Sequence, residues 1–293
     1  MNIIFEINGG IGKNIMATAV CKAIKTQYPD SKLIVVCGYP DVFINNPNVD
    51  RCFAMQNLSY FYEEHIEGKD IKLCIQDPYK QTDYLKGEKS LIQIWCEMFL
   101  IKYNGEQPEI FLTDREKTFY GQKFTSEKPI MVIQTNGGAE QQGVKYSWAR
   151  DIPTNVVKAV IEKYKDEYQI AHIKREDQFT YENTIPITDS FRSIVTLISL
   201  SAKRLFMDSF GQHTAAALNM PSTVLWIVNK PMVFGYFIHK NIKALPFTKK
   251  PELIGSYLEK FNISGDLLQF PYNSEDEIFD TKEILDSLES IEK

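Results

Sequence analysis

What the chain lacks narrows the field first. No window approaches the ~18 consecutive apolar residues of a membrane-spanning helix, so no transmembrane segment is expected. The start, Met1-Asn2-Ile3-Ile4-Phe5-Glu6, has no basic stretch ahead of a long apolar one. That argues against a secretory leader and for a cytoplasmic protein. Cysteine is sparse: Cys21, Cys37, Cys52, Cys74 and Cys96 form no Cys-x-x-Cys pair. Their spacing speaks against a zinc framework or a disulfide scaffold and fits small, buried core thiols in a reducing compartment. A basic excess is missing too. The formal net charge is −5, which argues against broad nucleic-acid binding. There is no internal repeat and no low-complexity segment.

What is present is the composition of a globular protein. The 293 residues are 44% hydrophobic and 24% charged, enough for two domains of about 130–150 residues each. Residues 2–7 read as a strand, followed by the turn Gly9-Gly10-Ile11-Gly12. Apolar positions from Ile15 to Ile24 then recur at helical spacing up to Tyr28. Further strands are expected at 33–37, 51–54 and 71–76, with a helix at 89–101. The polar run Ser126-Glu127-Lys128-Pro129 reads as a hinge, and the pattern restarts with a strand at 130–134. A helix at 152–165, a strand at 169–173, a helix at 191–200 and a strand at 204–207 follow. A helix at 212–218 then leads to a strand at 222–228. Strands separated by helices of this length imply right-handed crossovers and mainly parallel sheets. The expected architecture is α/β, with two Rossmann-like domains facing a cleft: residues 1–125, a hinge at 126–129, residues 130–270, and an acidic amphipathic surface helix within 271–293.

The first glycine turn, Asn8-Gly9-Gly10-Ile11-Gly12-Lys13-Asn14, joins a strand to a helix, where free N–H groups and the helix dipole favour an anion or a close ligand. It is not a Walker A loop. The position five before Gly12 is Ile7, and Asn14 stands where Ser or Thr is needed after the lysine. A dinucleotide fingerprint fits poorly, because Ile15 fills its third glycine position and Cys37-Gly38-Tyr39 offers no acid for a ribose. A tight turn that needs glycine for backbone reasons alone is the plain alternative.

The second half carries the sharper signal. Asp208-Ser209-Phe210-Gly211-Gln212-His213 follows a strand and runs into the small residues Ala215, Ala216 and Ala217. Asp208 and Ser209 should therefore sit at the carboxyl edge of a sheet, the usual ligand crevice of open α/β folds. Ser209 is placed to cap the helix, whose free N–H groups suit a diphosphate. His213 lies about one turn in. Read locally, this is equally a capped helix with a surface histidine. Upstream, Gln134-Thr135-Asn136-Gly137 ends the first strand of the second half, and Lys145 precedes Trp148. A lysine on a loop is a good point charge for a diphosphate, while Trp148 reads as a packing anchor.

Taken in order, these features resemble family 9 of the glycosyltransferases, the ADP-heptose:lipopolysaccharide heptosyltransferase group, with its GT-B fold. The likeness runs from the glycine turn through Tyr28-Pro29-Asp30 and Asn46-Pro47-Asn48 to Lys145, Trp148 and the stretch from Asp208 to Val224. It implies that Lys145, Ser209, Gly211 and His213 meet the donor diphosphate. Asp208 would shape that loop or bind the donor, and Asn136 and Gly137 would face the same nucleotide-sugar. Gly9, Gly10, Gly12 and Asn14 would form the acceptor-side loop. The implied reaction is inverting transfer of a sugar from an ADP-, GDP- or UDP-linked donor to a hydroxyl of a glycan or lipopolysaccharide-like acceptor. No cofactor is expected. No Asp-x-Asp occurs in the chain, which disfavours a metal-dependent course. Peripheral contact with a membrane stays compatible with this reading.

The sequence departs from the family pattern twice. Phe210 intervenes between Ser209 and Gly211, and Lys13 stands where the family carries the aspartate thought to deprotonate the acceptor. An ammonium is no base unless its pKa is strongly lowered. Asp77, expected at a strand's carboxyl end, is the candidate replacement, with Glu6 the weaker one. Lys13 would otherwise bind an anionic acceptor. A non-catalytic nucleotide-sugar or glycan binder, and a GT-B epimerase or phosphorylase, are the alternatives.

Overall fold

The computed structural model describes residues 1–137, 147–250 and 269–291. In the first half, strands β1 (Asn2–Ile7), β2 (Lys32–Cys37), β3 (Arg51–Ala54) and β4 (Ile71–Cys74) form one parallel sheet in the order β3-β2-β1-β4. Helices α1 (Ile11–Gln27), α2 (Phe61–His65), α3 (Thr82–Lys86), α4 (Leu91–Met98) and α5 (Asp114–Gly121) accompany it. In the second half, β5 (Ile130–Gln134), β6 (Gln169–Ile173), β7 (Ile185–Ile187), β8 (Lys203–Met207), β9 (Thr223–Trp226) and β10 (Lys240–Lys243) make a second parallel sheet, ordered β10-β9-β8-β5-β6-β7. Its helices are α6 (Thr154–Tyr164), α7 (Phe191–Leu200), α8 (Phe210–Ala217), α9 (Pro231–Phe234) and α10 (Thr281–Ser290).

The long apolar strands sit where the pattern puts them, because the stretches 3–5, 33–37, 130–133 and 205–207 of β1, β2, β5 and β8 are buried and apolar. The elements without a sequence signal are short or peripheral. β7 contains Pro186 and β10 reads Lys-Asn-Ile-Lys, and both are edge strands, where a missing donor or a polar face is tolerated. The acidic tail does form an amphipathic helix. Ile284 and Leu288 of α10 are fully buried against α6, β8 and β9, so only its outer face is a surface. Cys21, Cys37, Cys74 and Cys96 are buried free thiols and Cys52 is half-buried.

One apolar cluster runs through both halves. It joins Phe5, Val35 and Trp95 around the first sheet to Phe206, Ala215 and Trp226 of the second. Each large side chain buried in this way contributes about 1.5–3 kcal/mol relative to exposure. Helix α1 is the hinge-pin of the cluster. It lies between its own sheet, α4 and α8, and is buried from Lys13 through Cys21. A second cluster fills the far face of the second sheet beneath α6 and α10.

Polar contacts also tie the halves. Arg192 of α7 is buried, and its guanidinium meets Glu116 of α5 at 2.7 Å and donates to the Phe111 carbonyl at 2.6 Å. Replacing it removes the donor of the Phe111 carbonyl and the counter-ion of the Glu116 carboxylate, which keeps only its bonds from Thr113 and Asn45. Arg192→Ala is therefore expected to lower the unfolding free energy by about 3 kcal/mol, measured by urea denaturation. A loss under about 0.5 kcal/mol would show that the contact carries no weight.

Candidate functional site

The carboxyl ends of β1, β2 and β4 in one sheet and of β5 to β9 in the other open onto one cavity of about 760 Å³. Parallel strands aim their last side chains and following loops in the same direction, so such an edge collects ligand-binding groups. Here two such edges face each other. The separation is small on one side: a Cβ on Gly12 would come within 2.8 Å of the His213 ring. Glycine at this position is what lets α1 and α8 approach so closely.

On the second-half wall, Asn136 and Gly137 follow β5. A Cβ on Gly137 would lie 2.9 Å from the carbonyl oxygens of Arg150 and Asp208, so no side chain fits there. The Asp151 carboxylate accepts from Gly137 N at 3.0 Å and Ser147 N at 2.7 Å, holding these two residues together. Burial raises the Asp151 pKa in spite of these donors. Trp148 packs edge-on against Phe270 at 5.7 Å, which fits its expected anchoring role. Lys145 itself lies outside the described residues.

Asp208 is buried and bound on several sides. Arg150 donates to its carbonyl at 3.1 Å and lies 3.4 Å from its carboxylate, and Asn229 donates to the same oxygen. Asp208 thus shapes the loop by holding Arg150 and Asn229, and all three line the cavity. Ser209 stands at the cap position of α8 but makes no cap bond. Its hydroxyl donates to Gln134 Oε1, which also accepts from Gly211 N at 3.0 Å. Gln134, from the end of β5, therefore caps α8 from a neighbouring strand. A Cβ on Gly211 would fall 2.5 Å from that same oxygen, so glycine is needed for the cap to reach.

His213 is no surface histidine. It is buried, and its Nδ1 lies 2.7 Å from the Tyr236 hydroxyl. Burial first, then His239 and Arg150, push its pKa down to about 3. The imidazole is neutral at physiological pH and can offer a hydrogen bond but no charge. Among the described residues the cations of this wall are instead Arg150, Lys174 and Arg175, with Glu176, Asp189 and Asp208 beside them.

On the first-half wall, Gly10 and Gly12 line the cavity, and Gly9 takes the left-handed φ of +110° that favours glycine. Asn14 does not face the cavity. It is fully buried and donates to the Gly10 carbonyl at 3.0 Å and the Gly9 carbonyl at 3.3 Å, fixing the turn from below. The two groups singled out as catalytic candidates meet, although only Lys13 is among the residues lining the cavity and Asp77 is not. Lys13 Nζ and Asp77 Oδ1 form an ion pair at 3.0 Å, and Tyr79 N donates to the same carboxylate oxygen. The ammonium also lies 4.5 Å from the centre of the Tyr79 ring and 5.4 Å from that of Trp95. Burial lowers the Lys13 pKa and Asp77 opposes that shift. Lys13 is thus not a free cation awaiting an anionic acceptor. Glu6 lies on β1 and bonds Asn8 outside the cavity.

Sequence reasoning missed Gln134, Arg150, Lys174, Arg175 and the cavity tyrosines. A polar residue closing an apolar strand (Gln134) and a basic pair directly after one (Lys174-Arg175) were the available signals. Nothing local marked Arg150 or Tyr84. Among the described residues, no group of three or more His, Cys, Asp or Glu side chains is placed to hold a metal.

Two predictions follow from these contacts. Gln134→Leu removes the acceptor shared by Ser209 and Gly211, and should cost about 1–3 kcal/mol of stability by urea denaturation; no change would deny the cap. The second concerns pH. Burial holds His172 at about 4, His213 at about 3 and His239 at about 4, whereas unfolded imidazole titrates near ~6.5. The unfolded chain thus binds more protons below that value, so stability is full above it and falls as the pH drops toward 4. The slope is up to about 1.4 kcal/mol per pH unit for each histidine. Urea midpoints between about pH 7 and pH 5 should decline accordingly, and a flat profile would contradict neutral burial.

No protein-family model and no curated protein sequence matches the chain. Solved structures do. The glycosyl transferase family 9 structure from Veillonella parvula superimposes with a TM-score of 0.69 at 12% identity, over 99% of this chain and 96% of that one. The E. coli ADP-heptose lps heptosyltransferase II gives 0.65 at 14% identity over 98% of both chains. The E. coli heptosyltransferase WaaC with ADP gives 0.59 at 9% identity, over 84% of this chain and 94% of that one. At such low identity what is shared is the fold, and the two parallel sheets meeting at one cavity are those of a GT-B protein.

Proposed function

We propose that the protein is a glycosyltransferase that moves a sugar from a nucleoside-diphosphate donor to a hydroxyl of a glycan or related acceptor. The observation that carries this reading is the single cavity shared by the carboxyl ends of both sheets, whose second-half wall brings Arg150, Lys174 and Arg175 together with Glu176, Asp189 and Asp208. Residues 130–270 would hold the donor and residues 1–125 the acceptor, with 126–129 as the hinge. The structures solved with ADP and with ADP-2-deoxy-2-fluoro heptose support a nucleoside diphosphate as the donor's carrier.

In this reading the acceptor oxygen forms a bond to the anomeric carbon from the face opposite the diphosphate, while the bond from that carbon to the diphosphate oxygen breaks. The electron pair leaves with the diphosphate. Arg150, Lys174, Arg175 and the first-turn N–H groups of α8 would stabilise its charge, and Lys145, outside the described residues, is proposed to join them. His213 would contribute a neutral hydrogen bond. The acceptor's proton would pass to Asp77. Its Oδ1 is occupied by Lys13 and Tyr79, and Oδ2 has no hydrogen-bond partner among the described residues. Lys13 would position that carboxylate. No step requires a metal.

The Lys13–Asp77 ion pair also favours a second reading, a nucleotide-sugar binder without transfer, since one carboxylate oxygen is already taken up by the ammonium and the Tyr79 amide. Two measurements separate them. One of the ADP-, GDP- or UDP-sugars should stabilise the protein by about 2.7 kcal/mol at a hundredfold excess over its Kd; no response to any would defeat both readings. With that donor and an acceptor panel, Asp77→Asn should slow transfer roughly 10²–10⁴-fold, and Lys13→Ala should slow it by at least about tenfold. Undiminished turnover in both variants would remove them from the mechanism.

A further inference from the structure

We infer that the acceptor side of the cavity is built for an uncharged pyranoside, and that Tyr79, Tyr84 and Phe234 form the platform that receives it. This rests on the transferase reading above and adds the acceptor's chemical class.

The cations lining the cavity are divided unevenly. Arg150, Lys174 and Arg175 all come from the second half, as do the lining acids Glu176, Asp189 and Asp208. From the first half, Lys13 is the one lining cation among the described residues. Its charge is already engaged by Asp77 at 3.0 Å, with 6% of its side chain exposed, and by the faces of Tyr79 and Trp95. A phosphate or carboxylate entering there would meet an ammonium that has its counter-ion, with the Asp77 carboxylate repelling the newcomer. An anionic acceptor would thus lose its hydration without gaining a partner.

What the same region does offer is an aromatic group at the cavity edge, with Tyr79 and Tyr84 half-buried and Phe234 buried behind them. Tyr79 and Tyr84 have ring centres 4.9 Å apart, and Phe234 lies 6.3 Å from the first and 6.2 Å from the second. All three line the cavity, as does Tyr39. The C–H face of a pyranose is apolar and flat, and its rim of hydroxyls is wet. Tyrosine matches both parts, with an apolar ring and a polar tip. Burial raises the pKa of both Tyr79 and Tyr84, so their hydroxyls stay protonated and able to donate. The platform also spans the two halves. Tyr79 and Tyr84 follow β4 while Phe234 belongs to α9, so a sugar stacked there would lie beside the Lys13–Asp77 pair that is to take its proton.

The test uses the intact protein and saturation-transfer NMR titrations. The neutral probes are the methyl glycosides of glucose, galactose and N-acetylglucosamine, the anionic ones glucuronic acid and glucose 6-phosphate, and ADP, GDP and UDP are titrated in parallel. At least one methyl glycoside should bind at least about tenfold more tightly than either anionic sugar. Tyr84→Ala should weaken that binding about tenfold, Tyr84→Phe should keep it within about threefold, and nucleotide affinity should not follow either change. Tighter binding of the anionic sugars, or no sugar binding at all, overturns the inference. So does a Tyr84→Ala variant that loses nucleotide instead, since the rings would then hold a base. Tyr84-dependent glycoside binding with no nucleotide bound would tell against the transferase reading alone.

Discussion

The rest of the site depends on how closely α1 approaches α8. Gly12 and His213 meet with no room for a methyl group between them, and this contact draws the carboxyl edges of two separate sheets onto one cavity. Were the first turn of α1 wider by one carbon, the neutral imidazole would have to move, and with it Tyr236 and the start of α8. Packed helices do not yield continuously to such a change, because interiors are as dense as organic crystals. The glycine turn thus has a structural reason quite apart from any ligand. In the same way Asn14 serves the turn and not the cavity.

Around that contact, charge is allotted by side. Buried polar groups of the second half are spent on holding cations and N–H groups at the cavity edge: Asp208 holds Arg150, Gln134 caps α8, and Asp151 holds Gly137 and Ser147 together. In the first half, the cation is spent on a carboxylate and on aromatic rings. The cavity's cations thus lie chiefly on the second-half wall, beside acids of the same wall, while the first-half cation is already matched by its own carboxylate.

The sequence reading reached the frame of the molecule more readily than the lining of the cavity. Strands 51–54, 130–134 and 169–173 and helix 191–200 fall on β3, β5, β6 and α7 residue for residue; β5 is read easily because a strand buried along its whole length is almost wholly apolar. Helix α8 begins earlier than its apolar residues suggest, since its cap comes from Gln134, 75 residues from Ser209. The edge strands β7 and β10 carry too little apolar surface to be read. Among site residues, the glycine turn, Asp208 and Ser209 were visible through local spacing, while Arg150 and Tyr84 became relevant through partners far along the chain.

The sequence by itself determined two alternating α/β units, a glycine turn after the first strand and a strand-to-helix junction at Asp208, because each is written in local periodicity and turn chemistry. The tertiary structure decided the rest. It paired Lys13 with Asp77 across 64 residues and made His213 neutral by enclosing it. It also moved the cap of α8 from Ser209 to Gln134 and gathered Tyr79, Tyr84 and Phe234 from two halves into one group. Protonation and partnership depend on desolvation and on distances between side chains remote in sequence, and no local pattern encodes either.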